Sequence, residues 1–200
     1  MKNLFALIMA CILGIFTLAG CGAKIQDVKT QDEQTKQNEI EQNNNTIPEI
    51  NETMVLELVQ QAIQHKIYVQ RGGNWSGEAE TFDYNGMEYR YFGEDLGTRE
   101  KLLNYLQETF TREAAEEFIK HYNYIENNGR MAQPNADGGS ILQWENAEVT
   151  LSQDAGNSKE YIFKVPYGFE DNLQFETISI RVAWVPETGW RVASWTGLFD

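Results

Sequence analysis

Cysteine and histidine, which commonly serve as nucleophiles, general bases or metal ligands, are scarce in this sequence of 200 residues. The two cysteines, Cys11 and Cys21, both precede residue 22, and His65 and His121 are the only histidines. A folded region without thiols cannot form a disulfide, a Cys-ligated zinc site, an iron–sulfur cluster or a cysteine active site. We therefore expect no metal and no cofactor.

Carboxylates are the one abundant reactive group. The chain has 30 acidic and 16 basic side chains and a formal net charge of −14 at pH 7, which argues against nucleic acid as a partner because phosphate binding needs clustered Lys and Arg. Two acids at the right separation could hydrolyse a glycosidic bond. The candidates for such a pair are Glu78, Glu80, Asp83, Glu94 and Asp95. Most acids of an acidic protein are solvated, and no hydrolase or dinucleotide motif occurs, so we favour a protein that is not an enzyme.

Two glycine-rich segments have the composition of a surface presented to a partner. The first, residues 72–77, places Trp75 among glycines. The second, residues 134–140, has the candidate contact residues Asp137, Gly138, Gly139 and Ser140. Glycine lets another backbone approach closely because it has no β-carbon. Both segments could instead be connectors, with Trp75 folded back into the core. We favour the connector for the first segment and leave both interpretations open for the second.

The turn at residues 93–97 is a further candidate contact. It carries the acids Glu94 and Asp95 and ends at Gly97. If residues 134–140 are only a connector, we expect the contact with a partner to involve this turn or Trp75.

The first 21 residues have the pattern of an export signal. Lys2 precedes an apolar run over residues 4–18 that is short for a bilayer span, and Leu-Ala-Gly-Cys follows, which looks like the cleavage site of a bacterial lipoprotein. This predicts a signal peptide over residues 1–20, a lipid on Cys21, and a protein anchored on the extracellular face of the cytoplasmic membrane that reaches into the cell wall. An ordinary secreted protein with a chance cysteine is the alternative.

A polar tether is predicted to follow the cysteine, over residues 21–50. This segment has no aromatic side chain and is rich in Gln, Asn, Glu and Lys, so it cannot bury enough apolar surface to offset its chain entropy. We expect it to be disordered, with a short helix as the alternative.

The remaining residues, 51–200, show helical spacing first and strand alternation afterwards. A helix is predicted to begin at Asn51 or Thr53 and to end before Gly72, and two more helices are predicted over residues 98–109 and 111–124. The pair Asn85-Gly86 predicts a hairpin over residues 81–92. Alternation predicts strands over residues 141–151, 161–165, 175–185 and 190–195. The order predicts a single α+β domain with N-terminal helices packed on an antiparallel sheet.

Three segments carry a family resemblance. They are residues 80–91 (ETFDYNGMEYRY), 95–98 (DLGT) and 131–140 (MAQPNADGGS), of which the last is the most specific. Together they resemble the IseA family, inhibitors of cell-separation enzymes from Gram-positive bacteria. The resemblance implies a non-catalytic α+β protein that blocks secreted DL-endopeptidases, which are NlpC-type cysteine peptidases that cut peptidoglycan stem peptides. It also implies a loop lodged at the peptidase's active-site cleft.

The expected partners are thus secreted NlpC-type cell-wall peptidases and, through the lipid, the membrane. We expect a monomer that binds no nucleic acid. The alternative function, from a different class, is a surface lipoprotein that binds a small ligand in a pocket between helices and sheet, which the many aromatic residues would permit.

Overall fold

The computed structural model describes residues 46–136 and 139–196. Within these residues the chain forms three α-helices: α1 (Glu52–Gln70), α2 (Arg99–Leu106) and α3 (Arg112–His121). It also forms eight strands: β1 (Thr81–Tyr84), β2 (Met87–Tyr91), β3 (Ile125–Asn127), β4 (Arg130–Pro134), β5 (Glu148–Asp154), β6 (Ser158–Tyr167), β7 (Gln174–Val185) and β8 (Gly189–Trp195). The α+β class expected from the sequence is confirmed.

Each helix begins where a polar side chain caps its first turn. The side-chain oxygens of Asn51, Thr98 and Thr111 accept hydrogen bonds from the backbone N–H three residues further on, at 3.0, 3.2 and 3.3 Å. A cap of this kind stabilises a helix by about 1 kcal/mol. The predicted starts are confirmed, and of the two candidate caps for α1 the structure uses Asn51.

The first sheet contains four antiparallel strands in the order β1-β2-β4-β3. The predicted hairpin is confirmed, since Asn85 and Gly86 form its turn with φ of 54° and 79°. Asn128 and Gly129 turn the β3-β4 hairpin in the same way, with φ of 53° and 75°. The sequence prediction missed β3 and β4, although this second Asn-Gly pair was a signal for them.

The second sheet is the antiparallel meander β5-β6-β7-β8. Alternation along β7 buries Ile178, Ile180 and Val182 as predicted. The strand predicted over residues 141–151 is wrong in its first half, because β5 begins only at Glu148.

A 3₁₀ turn, Trp144–Asn146, replaces the first half of that predicted strand. The turn buries the Trp144 ring, whose centroid lies 4.9 Å from that of Trp195 in an edge-to-face arrangement. Burial of a large ring determines the local backbone here, and simple alternation does not detect it.

One buried cluster contains side chains from all three helices and from the second sheet. Backbone hydrogen bonds reinforce it: Thr111 N donates to Val192 O and Val192 N donates to Thr109 O, each at 2.9 Å. Burial of each large apolar side chain contributes about 1.5–3 kcal/mol. Fully buried members include Val55, Val59, Leu102, Leu106, Phe118, Phe163, Ile180 and Val192.

Residues 47–50, which composition assigns to the tether, contact this domain. Trp190 Nε1 donates to Pro48 O and Tyr161 OH donates to Ile50 O, each at 2.8 Å. The compact unit begins at Thr46, a few residues before the expected boundary at residue 51. Aromatic donors far along the chain hold this segment, so its own composition does not indicate the contact.

Lys159 adds an ionic contact to the same segment. Its side chain is only 6% exposed, and its Nζ lies 2.9 Å from carboxylate oxygens of both Asp154 and Glu49. These hydrogen bonds, the one to Asp154 first, raise the pKa of Lys159 above its usual range and lower the pKa of Asp154. The ammonium group therefore stays charged although it is buried.

Residues 1–45, which hold the predicted leader, Cys21 and most of the predicted tether, lie outside the described residues. The leader, the lipid and the tether therefore stay predictions. No helix in the described part of the chain is long and apolar enough to cross a membrane.

Candidate functional site

The loop at residues 134–140 leaves the first sheet from β4, an interior strand between β2 and β3. Pro134 pairs with Tyr89 in the β2-β4 register. Just beyond this pair, Asn135 N donates to Glu88 O at 2.8 Å, and the Asn135 side-chain amide donates to the Glu88 carboxylate. The hairpin β1-β2 therefore holds the first residues of the loop and sets the direction in which it leaves the sheet.

The other end of the loop is attached to the second sheet. Leu142 forms an isolated antiparallel bridge with Tyr167, and Gln143 N donates to Pro166 O at 2.8 Å. Ser140 Oγ accepts a hydrogen bond from Leu142 N at 3.3 Å. The loop is thus bonded at both ends, to one sheet at its start and to the other at its end.

Two of the four predicted contact residues in this loop belong to the described part of the chain. Gly139 and Ser140 are exposed, whereas Asp137 and Gly138 lie outside the described residues. A β-carbon added at Gly139 would meet no described atom within 4 Å. The described contacts of the domain therefore do not require glycine at residue 139.

Gln133, from the same sequence motif, connects the loop's base to α1. Gln133 is only 3% exposed. Its amide nitrogen donates to Gln70 O at 3.2 Å in the orientation that satisfies both ends of the amide. In that orientation the amide oxygen accepts hydrogen bonds from Arg90 Nε and Gly72 N, both at 3.2 Å. Arg90 also donates to Gln70 O at 2.9 Å. Leaving such a buried amide without a partner costs about 1–3 kcal/mol. Gln133 therefore holds β2, β4 and the end of α1 together.

Trp75 covers the glycine that ends α1. Gly72 has a φ of +92°, and a β-carbon there would lie 2.3 Å from the Trp75 ring. Trp75 Nε1 donates to Tyr91 O at 3.3 Å, and the Arg90 guanidinium lies 5.2 Å from the ring centroid. The ring is half-buried, so it belongs partly to the fold and partly to the surface.

The turn at residues 93–97 packs directly against the Trp75 loop. Asp95 accepts hydrogen bonds from Tyr68 OH at 2.7 Å and from Asn74 N at 2.9 Å, so both carboxylate oxygens hold neighbouring segments. Gly93 N donates to Gly72 O at 2.8 Å. Gly97 O accepts from the N–H of residue 131 in β4 at 3.0 Å. Asp95 and Gly97 therefore have structural partners inside the domain.

The structure brings three of the four secondary candidates together at one cleft. Trp75, Glu94 and Asp95 line an open cleft of about 390 Å³, and Gly97 lies in the same turn. Its remaining lining residues are Asn74, Ser76 and Lys101. Lys101 Nζ donates to the backbone oxygen of Glu94 at 2.6 Å, and residue 94 is exposed.

Asp95 also changes the ionisation of its neighbour. The hydrogen bond from Tyr68 OH to Asp95, then burial and the negative charge of Asp95, raise the pKa of Tyr68 to about 12. The Tyr68 hydroxyl therefore stays protonated and donating at any physiological pH. The hydroxyl that joins α1 to the turn at residues 93–97 therefore does not lose its proton in that pH range.

Glu80, Asp83 and His65, which were named from the sequence, have structural contacts in the described part of the chain. Glu80 pairs with Arg130 at 2.6 Å, and Asp83 accepts from Gly86 N in the hairpin turn. His65 stacks on Tyr105 with ring centroids 4.4 Å apart. Among the described residues, no group of three or more His, Cys, Asp or Glu side chains converges as a metal site would.

The geometry does not support the alternative of a ligand pocket between helices and sheet. The cleft at Trp75 is formed by two loops at the surface, whereas the space between the helices and the second sheet is filled by the buried cluster. Sites for small ligands usually bury most of the ligand surface. An open cleft at the surface would leave much of a small ligand exposed, so it does not match such a site.

Family membership follows from the sequence as a whole. The sequence model of the IseA DL-endopeptidase inhibitor family matches residues 46–197, which include both sheets, all three helices and both candidate loops. The chain belongs to this family, as its motifs indicated. Its partners are therefore endopeptidases, and it acts as an inhibitor and not as an enzyme.

A relative of this chain occurs in Bacillus subtilis (strain 168). The uncharacterized protein YoeB is 32% identical over 127 residues, which are 61% of this chain and 70% of that protein.

Sequence reasoning identified both loops and the acidic turn but missed how they are held. The fixing residues Gln133 and Arg90 lie in strands, and their partners are 20 or more residues away. Lys101 was missed as well, since a lysine in the first turn of a helix is usually solvated. The signal available in the sequence was the position of Gln133 inside the most specific motif, residues 131–140.

Proposed function

We propose that this chain inhibits NlpC-type cell-wall DL-endopeptidases by placing residues 137–140 in their active-site cleft. The family match supports inhibition, and the loop geometry supports this mode of inhibition. The loop is bonded at both ends, and its exposed Gly139 is not required by the described contacts of its own fold. A loop whose two ends are held by hydrogen bonds loses less entropy on binding than a loop with free ends, which favours affinity.

Glycine in such a loop lets the partner's backbone come close. The nucleophile of a cysteine peptidase lies at the bottom of a cleft, so an inserted segment must be narrow. Gly138 and Gly139 give that narrow profile, and Asp137 beside them supplies a charge for partner donors. The chain offers the peptidase no thiol in this loop with which to react.

The net negative charge of the chain also supports a cell-wall endopeptidase as the partner. The net charge of −14 favours encounter with a basic protein, and hydrolases that bind an anionic wall are often basic. Complementary charge raises association rates by tens to thousands of fold at low salt.

We also propose that the chain acts from the membrane as a monomer. Cleavage before Cys21 and lipidation of its sulfur would anchor the protein on the extracellular face, since each buried methylene contributes about 0.8 kcal/mol. The polar segment before residue 46 would then act as a tether that lets the domain reach peptidases in the wall.

The test is the inhibition constant of the full chain, in mild detergent, against a purified DL-endopeptidase catalytic domain. Gly139→Val should weaken inhibition tenfold or more, about 1.4 kcal/mol, because the added side chain occupies space that the partner needs. The matched control is Ala155→Val in the exposed β5-β6 turn, at the opposite end of β6. Equal inhibition by both variants would contradict the loop mechanism, and no inhibition by wild type would contradict the function itself.

A further inference from the structure

Large apolar side chains are exposed beside the end of the 134–140 loop. Four of them form what we call the apolar patch: Ile141, Phe169, Leu173 and Phe175. Phe169 is 87% exposed and Ile141 is 73% exposed, far more than the half-exposed apolar residues elsewhere in the described chain. A soluble domain rarely leaves a phenylalanine this exposed unless another surface covers it.

The bridge between Leu142 and Tyr167 brings the patch together. Ile141 directly precedes Leu142 in this bridge, and Phe169 follows Tyr167 by two residues. Phe175 pairs with Pro166, whose carbonyl oxygen accepts from Gln143 N. The apolar patch is therefore continuous with the exposed loop residues at the same end of the second sheet.

Hydrogen bonds and a close backbone approach hold the turn that carries Phe169. Gly168 has a φ of +96°, and a β-carbon there would lie 2.7 Å from Asn172 O. Asn172 N donates to Phe169 O at 2.8 Å, and Gln143 Nε2 donates to Gly168 O at 2.9 Å. The backbone of Phe169 therefore lies in a hydrogen-bonded turn that is also bonded to Gln143, just after the loop.

A loop of four residues is too small to make a specific complex alone. Stable protein–protein interfaces bury roughly 1,200–2,000 Å² in total, with a central group of aromatic and aliphatic anchors. In the described chain, the apolar patch is the group of exposed anchors that directly adjoins Ser140.

We propose that the apolar patch is the second contact with the endopeptidase: it binds an apolar rim of the catalytic domain while the loop enters the cleft. This inference rests on the proposed function. The patch could instead be covered by a lipid bilayer or by a second copy of the chain, but charge favours the peptidase over both. Phe169 is followed by Glu170 and Asp171, and the chain carries −14 overall, so an anionic bilayer and a second copy are both repelled, whereas a basic peptidase is attracted.

The first test compares two substitutions in the full chain in mild detergent. Phe169→Ser should weaken binding to the catalytic domain tenfold or more, mostly through faster dissociation, with an unchanged melting temperature because the ring is exposed. The matched control, Leu151→Ser on β5, removes a 38% exposed apolar side chain outside the patch and should change affinity less than twofold. Equal affinities of Phe169→Ser and wild type would overturn the proposal.

The second test is hydrogen exchange on the full chain, with and without the catalytic domain. Amides of residues 139–142 and 168–175 should be protected together when the peptidase is added. Protection of the loop alone, with inhibition retained, would overturn this inference and leave the proposed function standing. If neither segment is protected and the peptidase is not inhibited, both this inference and the proposed function would be wrong.

Two controls distinguish the other occupants. Protection of residues 168–175 in vesicles of phosphatidylglycerol and phosphatidylethanolamine without peptidase would assign the patch to the bilayer. Protection that grows with the concentration of the chain alone would assign it to a second copy. Either result would overturn the proposal. Unchanged exchange of residues 168–175 in the vesicle experiment and in the concentration series would support it.

Discussion

Gly93 and Asn74 are in such close backbone contact that a β-carbon at residue 93 would lie 2.1 Å from the Asn74 carbonyl oxygen. The two segments are also joined by the hydrogen bond from Gly93 N to Gly72 O at 2.8 Å. The loop that carries Trp75 and the turn that carries Asp95 therefore form one unit. Their close packing requires a residue without a side chain at residue 93.

The first prediction concerns this contact. Gly93→Ala should destabilise the domain by about 1–3 kcal/mol, because the neighbour that must move is backbone and not a mobile side chain. Urea unfolding of the full chain measures the change. Gly139→Ala is the matched control and should stay within about 0.5 kcal/mol of wild type, since its β-carbon meets open space. Equal stability of the two variants would show that the Asn74 contact relaxes easily.

The second prediction concerns pH. The pKa of Tyr68 is raised to about 12 in the folded protein, above its usual value near 10, so the folded state holds this proton more tightly than the unfolded state does. The resulting stabilisation is fully present below pH 10 and is lost as the pH rises towards 12. Tyr68→Phe should therefore lose stability less steeply than wild type between pH 10 and 12. Parallel stability curves for the two proteins would contradict this.

The third prediction separates the long loop from the cleft. If Asp137 contacts the partner, Asp137→Ala should reduce affinity with little change in melting temperature, since it removes one charge and keeps the backbone. Trp75→Ala should lower the melting temperature, because the ring covers Gly72. The inhibition constants and melting temperatures of both variants are to be measured together. If Trp75→Ala alone lost inhibition at a temperature where it is folded, the decisive contact would lie at the cleft.

The fourth prediction concerns salt. If the charge of −14 steers the encounter, the association rate with a basic peptidase should fall steeply from low to physiological salt, where the screening length is about 8 Å. The dissociation rate should change much less, because short-range contacts set it. Stopped-flow measurement at several salt concentrations provides both rates. An association rate independent of salt would leave shape as the basis of recognition.

The fifth prediction concerns the anchor. Cys21→Ser removes the thiol that the lipid would modify, so the protein should lose its lipid label. Without the lipid it should also be released from the membrane fraction. Metabolic labelling with a fatty acid, followed by fractionation, measures this. An exported Cys21→Ser chain that stays labelled and membrane-bound would contradict the lipoprotein prediction.

Local signals in the sequence determined much of the fold. The caps at Asn51, Thr98 and Thr111, the Asn85-Gly86 turn and the alternation along β7 each act within a few residues. Such interactions depend on nearby side chains and backbone, so a reader of the sequence can find them. The second Asn-Gly pair shows that the same signal was available for the β3-β4 hairpin.

The sequence could not place Trp144 or the segment at residues 47–50. The Trp144 ring is buried against Trp195, and Trp190 and Tyr161 hold the backbone of residues 48 and 50. In each case the partner lies 50 or more residues away, so no local pattern records the contact.

Only the tertiary structure decided how the candidate surfaces are arranged. The sequence named the loop at residues 134–140, Trp75 and the acidic turn, but it did not show that Asp95 and Gly93 join the last two at one cleft. It also did not show that the bridge between Leu142 and Tyr167 sets Phe169 beside the loop's end. Residue types are local properties, whereas shared surfaces are formed by strand pairing and burial between distant segments, and these act only when the chain is folded.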